Sequence, residues 1–257
     1  MHFFVPQLRA SSNGNGGAAG LSVVIDVLRA STTIAVALDH GAVEIIPVLE
    51  PDDARRRALE IGPATLLAGE RNAVPPTGFH LGNSPLEYSR ERVAGKTIVL
   101  TTTNGTKALL AAAPNSRDVL IGSYVNFTVT LAAVRSAIRQ GLDVDIVCAG
   151  SEGKFSLEDT ACAGRFVRFA MRRPGKAGPP VLNDAARAAL LIEQNYGQDI
   201  ARLFDDADHG RTLRNAGFGD DLIACATLDA HPVVAAYENG VIRKRDPGAV
   251  HSRARSA

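Results

Sequence analysis

Six short apolar runs, most of them rich in branched residues, constrain this chain more than any other feature. They span residues 21–26 (LSVVID), 43–48, 64–68, 97–101 (TIVLT), 118–122 and 144–149 (VDIVCA). None shows the strict alternation of a half-solvated strand, so each reads as a strand buried on both faces. Helical patterns fill 30–39, 52–61, 104–113, 126–140 and 157–172 between them. Strands alternating with helices predict an α/β fold, a three-layer α/β/α arrangement around a largely parallel sheet. Beyond the Gly- and Pro-dense stretch from Pro174 to Pro180 the pattern turns to helices near 181–195, 198–206 and 218–227, then an apolar run at 232–236. The expectation is a single domain over 1–257 with a more helical C-terminal part, and sub-lobes at 1–173 and 181–241.

The chain carries 28 basic and 27 acidic residues, for a net charge of +1. No global field exists to hold nucleic acid or an anionic membrane, so affinity for an anion has to be local. Basic residues cluster at Arg168, Arg172 and Arg173 and at Arg243, Lys244, Arg245, Arg253 and Arg255. Such runs read as solvated faces or frayed ends without a chemical role. No apolar run approaches the ~20 residues that span a bilayer, and the opening His2, Phe3, Phe4 and Val5 reads as a first strand rather than a secretory signal. Cys148, Cys162 and Cys225 are far apart and form no C-x-x-C pair. Reduced thiols in a cytoplasm follow, and a homodimer is the default expectation for an enzyme of this size.

A strand, polar loop and helix recur after Asp26, Thr101, Gly122 and Ala149, which predicts four loops along one edge of the sheet. Ligands of open α/β sheets bind at the carboxyl ends of strands, beside helix N-termini. The first loop places Asp26 at a strand end, Arg29 three residues on, and Ser31, Thr32 and Thr33 where a helix begins. The carboxylate suits Mg2+ or attack on phosphorus, the guanidinium a phosphate or carboxylate, and the hydroxyls phosphate oxygens. The plain alternative is a helix capped by Ser31 or Thr32. Thr101, Thr102, Thr103, Asn104, Gly105 and Thr106 repeat the chemistry as an anion cradle or a capped turn. After Cys148 a third loop brings Glu158 and Asp159 to a helix start at Ser156, either as first-turn acids or as oxygen ligands that join Asp26 around a hard cation. Ser123 and Asn126 follow Gly122 as ligand contacts or caps. In the long connection from Gly69 to Pro85, Arg71 and Asn83 are the expected ligand contacts, and His80 is a lone loop histidine.

Two motifs mislead. Gly14-Asn15-Gly16-Gly17-Ala18-Ala19 fits G-x-G-x-x-A but precedes its strand, whereas a dinucleotide fingerprint follows one, and residues 10–20 read as a flexible loop. Walker A is absent. A stronger rival is Ala149-Gly150-Ser151-Glu152-Gly153, which resembles a nucleophile elbow with Ser151 as nucleophile and His209 or His231 as base. A non-catalytic binder of small anions on the same loops is the third reading.

The blocks VVIDVLRASTTI, GER, GFHLGNSPLEY, TTTNGT, CAGSEGKFSLED with ACAG, and DHG with GFGDDLIACATLD resemble the 2-phosphosulfolactate phosphatase family of coenzyme M biosynthesis, from about Val23 to Val234. The resemblance implies an α/β/α phosphatase, Mg2+-dependent, acting on a small phosphorylated 2-hydroxy acid. On that basis Asp26 is expected as the leading metal ligand or phosphoryl acceptor, with Glu158 and Asp159 as further metal ligands and Asp26, Arg29 and Asp159 as the catalytic set. Arg29 and residues 102–106 would hold phosphate, and Arg71 and Asn83 the acid group. His209, Asp220 and Asp221 fall in a matching block without an assigned role.

Overall fold

The structure is a computed structural model that describes residues 8–10, 19–172 and 179–246. The expected first strand at the N-terminus, most of the loop at 10–20, Arg173, Arg253 and Arg255 lie outside the described residues. In chain order the elements are β1 (Leu8–Ala10), β2 (Leu21–Ile25), α1 (Ala30–Asp39), β3 (Glu44–Pro47), α2 (Pro51–Ile61), β4 (Thr65–Gly69), α3 (Arg90–Val93), β5 (Thr97–Thr101), α4 (Gly105–Ala112), β6 (Val119–Gly122), α5 (Phe127–Arg139) and β7 (Val144–Cys148). There follow α6 (Leu157–Met171), α7 (Asp184–Tyr196), α8 (Ile200–Asp206), α9 (Asp208–Asn215), α10 (Gly219–Ala226), β8 (Val234–Glu238) and β9 (Val241–Arg245). All six apolar runs are strands.

The fold is α/β with a mixed sheet, in the order β1-β7-β2-β6-β8-β9-β3-β5-β4. Among the described strands, parallel pairing forms two triads, β7-β2-β6 and β3-β5-β4. The β8–β9 hairpin lies between them, antiparallel to both, and meets β3 through the single pair Ile45↔Ile242. The two triads therefore run in opposite senses along the sheet, which corrects the expectation of four loops on one edge. The loops after β2, β6 and β7 share an edge, while Thr101 ends a strand of the other triad.

Packing brings that loop back to the others. One core joins Val24, Ile121 and Ala235 to Ile45, Ile98 and Leu100 through Ile34 and Leu38 of α1 and Leu109 of α4. α1 and α4 thus fill the space between the halves. α5 and α6 cover the other face of the first triad with Leu131 and Phe166, and Ala54 of α2 packs on Ile46 and Val99 of the second. α7 packs on α6, so the C-terminal segment is woven into the same body. The described part of the late basic run, Arg243 to Arg245, is not a frayed end but lies in β9. Arg245 in β9 donates to both carboxylate oxygens of Asp118 (2.6 and 2.7 Å) and pairs with Glu238, and Arg243 donates through Nε to Glu44 at 3.0 Å. Arg168 holds the buried Glu193 of α7 at 3.0 and 3.1 Å.

Candidate active site

At the carboxyl end of β2, Asp26 is 7% exposed. Its backbone N–H donates to Ser31 Oγ (2.8 Å), and its Oδ1 accepts the Ala30 N–H (3.3 Å), so the loop closes on itself as α1 begins. Arg29 occupies the N-cap position without a side-chain cap, and neither Ser31 nor Thr32 plays that part. Thr32 donates to the Val27 carbonyl (2.9 Å) and shares a hydrogen bond with Ser123 Oγ (2.8 Å), which joins the loops after β2 and β6. Ser123 and Asn126 form a capping box, and the Asn126 amide donates to the Ile121 and Val233 carbonyls. Their hydrogen-bonding capacity is spent on structure.

Three further buried acids surround Asp26. Glu158 and Asp159 open α6 behind the N-cap Ser156, whose hydroxyl accepts the Asp159 N–H at 3.1 Å. Asp159 accepts Val27 N–H (2.9 Å) with one oxygen and Gly150 N–H (3.1 Å) with the other, so it ties the β2 loop to the β7 loop. Glu70, directly after β4, accepts from the Thr103 N–H (2.7 Å), the Thr103 hydroxyl (3.2 Å) and the Ala73 N–H (3.1 Å). Burial, then Glu70 and Glu158, push the Asp26 carboxyl up from 3.8 to about 7, against the Ala30 N–H and Arg29, which pull it down. Burial and the Glu158 and Asp26 charges raise Asp159 well above the carboxylate range, and burial raises Glu158, with the His209 charge opposing. Buried carboxyl oxygens whose ionised forms are disfavoured by burial and by one another are hard donors that suit a divalent cation such as Mg2+.

The Thr101 loop supplies the facing wall. The Thr102 and Thr106 side chains satisfy each other's backbone N–H groups (3.1 and 3.2 Å), and Asn104 Oδ1 accepts the Glu152 N–H at 2.9 Å. Gly105 opens α4 directly against Asp26, and a Cβ there would stand 2.7 Å from Asp26 Oδ2 and 2.6 Å from Ala30 Cβ. Gly69, at φ 137°, lets β4 pass the Thr101 carbonyl, which a Cβ would meet at 1.9 Å, and so carries Glu70 into place. Beside this wall a cleft of about 620 Å³ is lined by Thr103, Asn104, Cys148, Glu152 and Lys107, the one basic residue on it among the described residues.

Arg29 is a fixed charge. Its Nη1 donates to Asp221 Oδ2 at 2.6 Å, its Nη2 to the Ala73 carbonyl at 3.2 Å, and its guanidinium lies 4.2 Å from the Phe218 ring centre. Asp221 also accepts from Ser84 Oγ at 2.6 Å. That gives Asp221 its role, while Asp220 is exposed. Arg71 donates to the Glu70 and Leu49 carbonyls and to Thr101 Oγ1, and His80 accepts the Leu67 N–H. Asn83 is buried, with an amide oxygen that has no partner among the described residues. Sequence reasoning passed over Glu70, although an acid at a strand's carboxyl end is the signal that singled out Asp26.

The elbow reading does not survive the geometry. Ser151 and Lys154 exchange backbone hydrogen bonds across a tight turn, and α6 starts only at Leu157. His231 is bound to Asp39 at 2.9 Å.

The family described as 2-phosphosulpholactate phosphatase matches residues 7–240. A probable 2-phosphosulfolactate phosphatase of Symbiobacterium thermophilum is 41% identical over 226 residues, 88% of this chain and 94% of that protein. Proteins of the same description from Thermotoga maritima and Clostridium acetobutylicum are 40% and 36% identical, each over 86% of this chain, and over 90% and 91% of their own lengths. With four buried acids meeting where both triads deliver their loops, and with relatives matched along nearly their whole lengths, this chain belongs to the 2-phosphosulfolactate phosphatase family of phosphoric monoester hydrolases.

Proposed function

We propose that the protein is a Mg2+-dependent phosphatase that converts 2-phosphosulfolactate, or a related phosphorylated 2-hydroxy acid, to the 2-hydroxy acid and phosphate. The observation that carries this reading is Asp26, a buried carboxyl raised to about 7 among neighbouring acids, with the first turns of α1 and α4 beside it. Asp26 and Glu158 would hold the ion, with Asp159, whose oxygens already accept two backbone N–H groups, fixing the loops that carry them. Bound there, Mg2+ would neutralise charge on the phosphoryl group.

Phosphoryl transfer asks a protein mainly for positioning and charge stabilisation. The start of α4 is held against Asp26 by the missing Gly105 side chain, and its positive dipole end suits phosphate oxygens, although the Thr106 N–H is already taken by Thr102 Oγ1. Arg29, locked by Asp221, Ala73 and Phe218, keeps a buried positive charge beside Asp26. Lys107 offers the cleft a cation for the substrate's acid group, and the buried Asn83 amide oxygen is a further acceptor for a substrate hydroxyl. Phosphate release from 2-phosphosulfolactate, phospholactate and phosphoglycolate, each with Mg2+ and with EDTA, tests the reading. Metal-dependent release from at least one substrate is expected and ranks the three. A folded, Mg2+-supplied protein that releases phosphate from none contradicts it and leaves an anion binder.

A further inference from the structure

The described residues contain one group of His, Cys, Asp or Glu side chains that offer three donor atoms all within 4.8 Å of one another, and it does not involve Asp26. It consists of Asp39, His40 and His231, all partly exposed. Asp39 is the last residue of α1 and His40 its C-cap, while His231 precedes β8. The His231 main chain is fixed by its N–H donating to the Val125 carbonyl at 2.8 Å, and its ring Nδ1 bonds the Asp39 side chain at Oδ2, 2.9 Å away. His40 Nδ1 lies 2.6 Å from the Tyr88 carbonyl. A carbonyl only accepts, so that nitrogen carries the proton and the neutral ring keeps its lone pair on Nε2. Histidine ligands of metals are commonly oriented in this way, by a carbonyl or carboxylate on the other ring nitrogen. The two rings meet edge to face with centres 5.2 Å apart.

We propose that Asp39, His40 and His231 form a second metal site, for a divalent transition-metal ion of the Zn2+ class. Two imidazoles and one carboxylate suit such ions, whereas Mg2+ prefers all-oxygen surroundings. Ligands held about 2.1 Å from one ion stand at most about 4 Å apart, so partly exposed side chains need only a small rotation to close on it. The α1 C-terminus adds its negative dipole end. Side chains exposed to 22% (His231) and 29% (Asp39) leave the remaining coordination positions open to water. An ion here would pin the C-terminal end of α1, whose N-terminal end lies beside Asp26, to the segment entering β8.

The test is titration of the full chain with Zn2+ by calorimetry, and with Co2+ by visible absorption, in excess Mg2+ to occupy the oxygen site. One ion per chain is expected, with the visible band of nitrogen-ligated Co2+. Asp26→Asn should bind it unchanged. His40→Gln and His231→Gln should each weaken binding at least tenfold, and His40→Ala and His231→Ala should abolish the band, while all four release phosphate in Mg2+ at rates near wild type, which shows that they fold. Absence of Zn2+ binding by the wild type, unchanged affinity in the histidine variants, or loss in Asp26→Asn alone would overturn the proposal.

Discussion

Replacing Asp26 with Asn should stabilise the protein while removing its activity. The Asp26 carboxyl rises from 3.8 to about 7 in the folded chain, so between those values the folded state binds a proton that the unfolded state has released. Its contribution to stability is therefore fully present below pH 3.8 and is lost as pH rises to about 7. A rise of this size is worth about 4 kcal/mol, at roughly 1.4 kcal/mol per pKa unit. Asparagine cannot ionise, so the stability difference between variant and wild type should open through this window and level off above it, in favour of the variant. Urea unfolding of both proteins in EDTA from pH 5 to 8.5 measures that difference directly. Equal stabilities at pH 8, or a wild type that gains on the variant as pH rises, would refute the claim that burial, with Glu70 and Glu158 nearby, disfavours the Asp26 carboxylate.

Three further outcomes follow from named contacts. Asp221→Ala leaves Arg29 buried without its partner and should cost about 3–5 kcal/mol in chemical unfolding, whereas Arg29→Met with Asp221→Leu should recover much of the loss. Gly105→Ala forces a Cβ onto Asp26 and Ala30 and should lower kcat for phosphate release by about 10- to 100-fold in steady-state assays, with little change in secondary structure by circular dichroism. Ser151→Ala removes only a turn hydroxyl, and its kcat/KM for phosphate release should stay within about twofold of wild type, a change of at most about 0.4 kcal/mol in transition-state stabilisation.

The apolar runs were legible because strands buried on both faces need continuous branched side chains, and each run is a strand in the structure. β9 was not, because its sequence VIRKR buries Ile242 and leaves Arg243 and Lys244 exposed, a pattern that reads as a basic tail until Asp118 and Glu44 are seen opposite it. α9 was missed for a related reason: DHGRTLRN is mostly charged and buries only Gly210 and Leu213. At the site, the loops of Asp26, Thr101 and Ala149 stood out by local composition, and they do meet. The Arg29–Asp221 pair spans 192 residues, and no local pattern announces such a contact. The hydroxyls of Thr32 and Ser123 were visible as ligand candidates, but only the fold reveals that they bind each other.

The most direct test of the central claim is the initial rate of phosphate release from 2-phosphosulfolactate as Mg2+ is returned to EDTA-stripped protein, for wild type and Asp26→Asn side by side. The account predicts a saturable Mg2+ dependence in the wild type and no recovery in a folded Asp26→Asn at any Mg2+ concentration. Recovery of Asp26→Asn to the wild-type rate at the same Mg2+ concentration would contradict it.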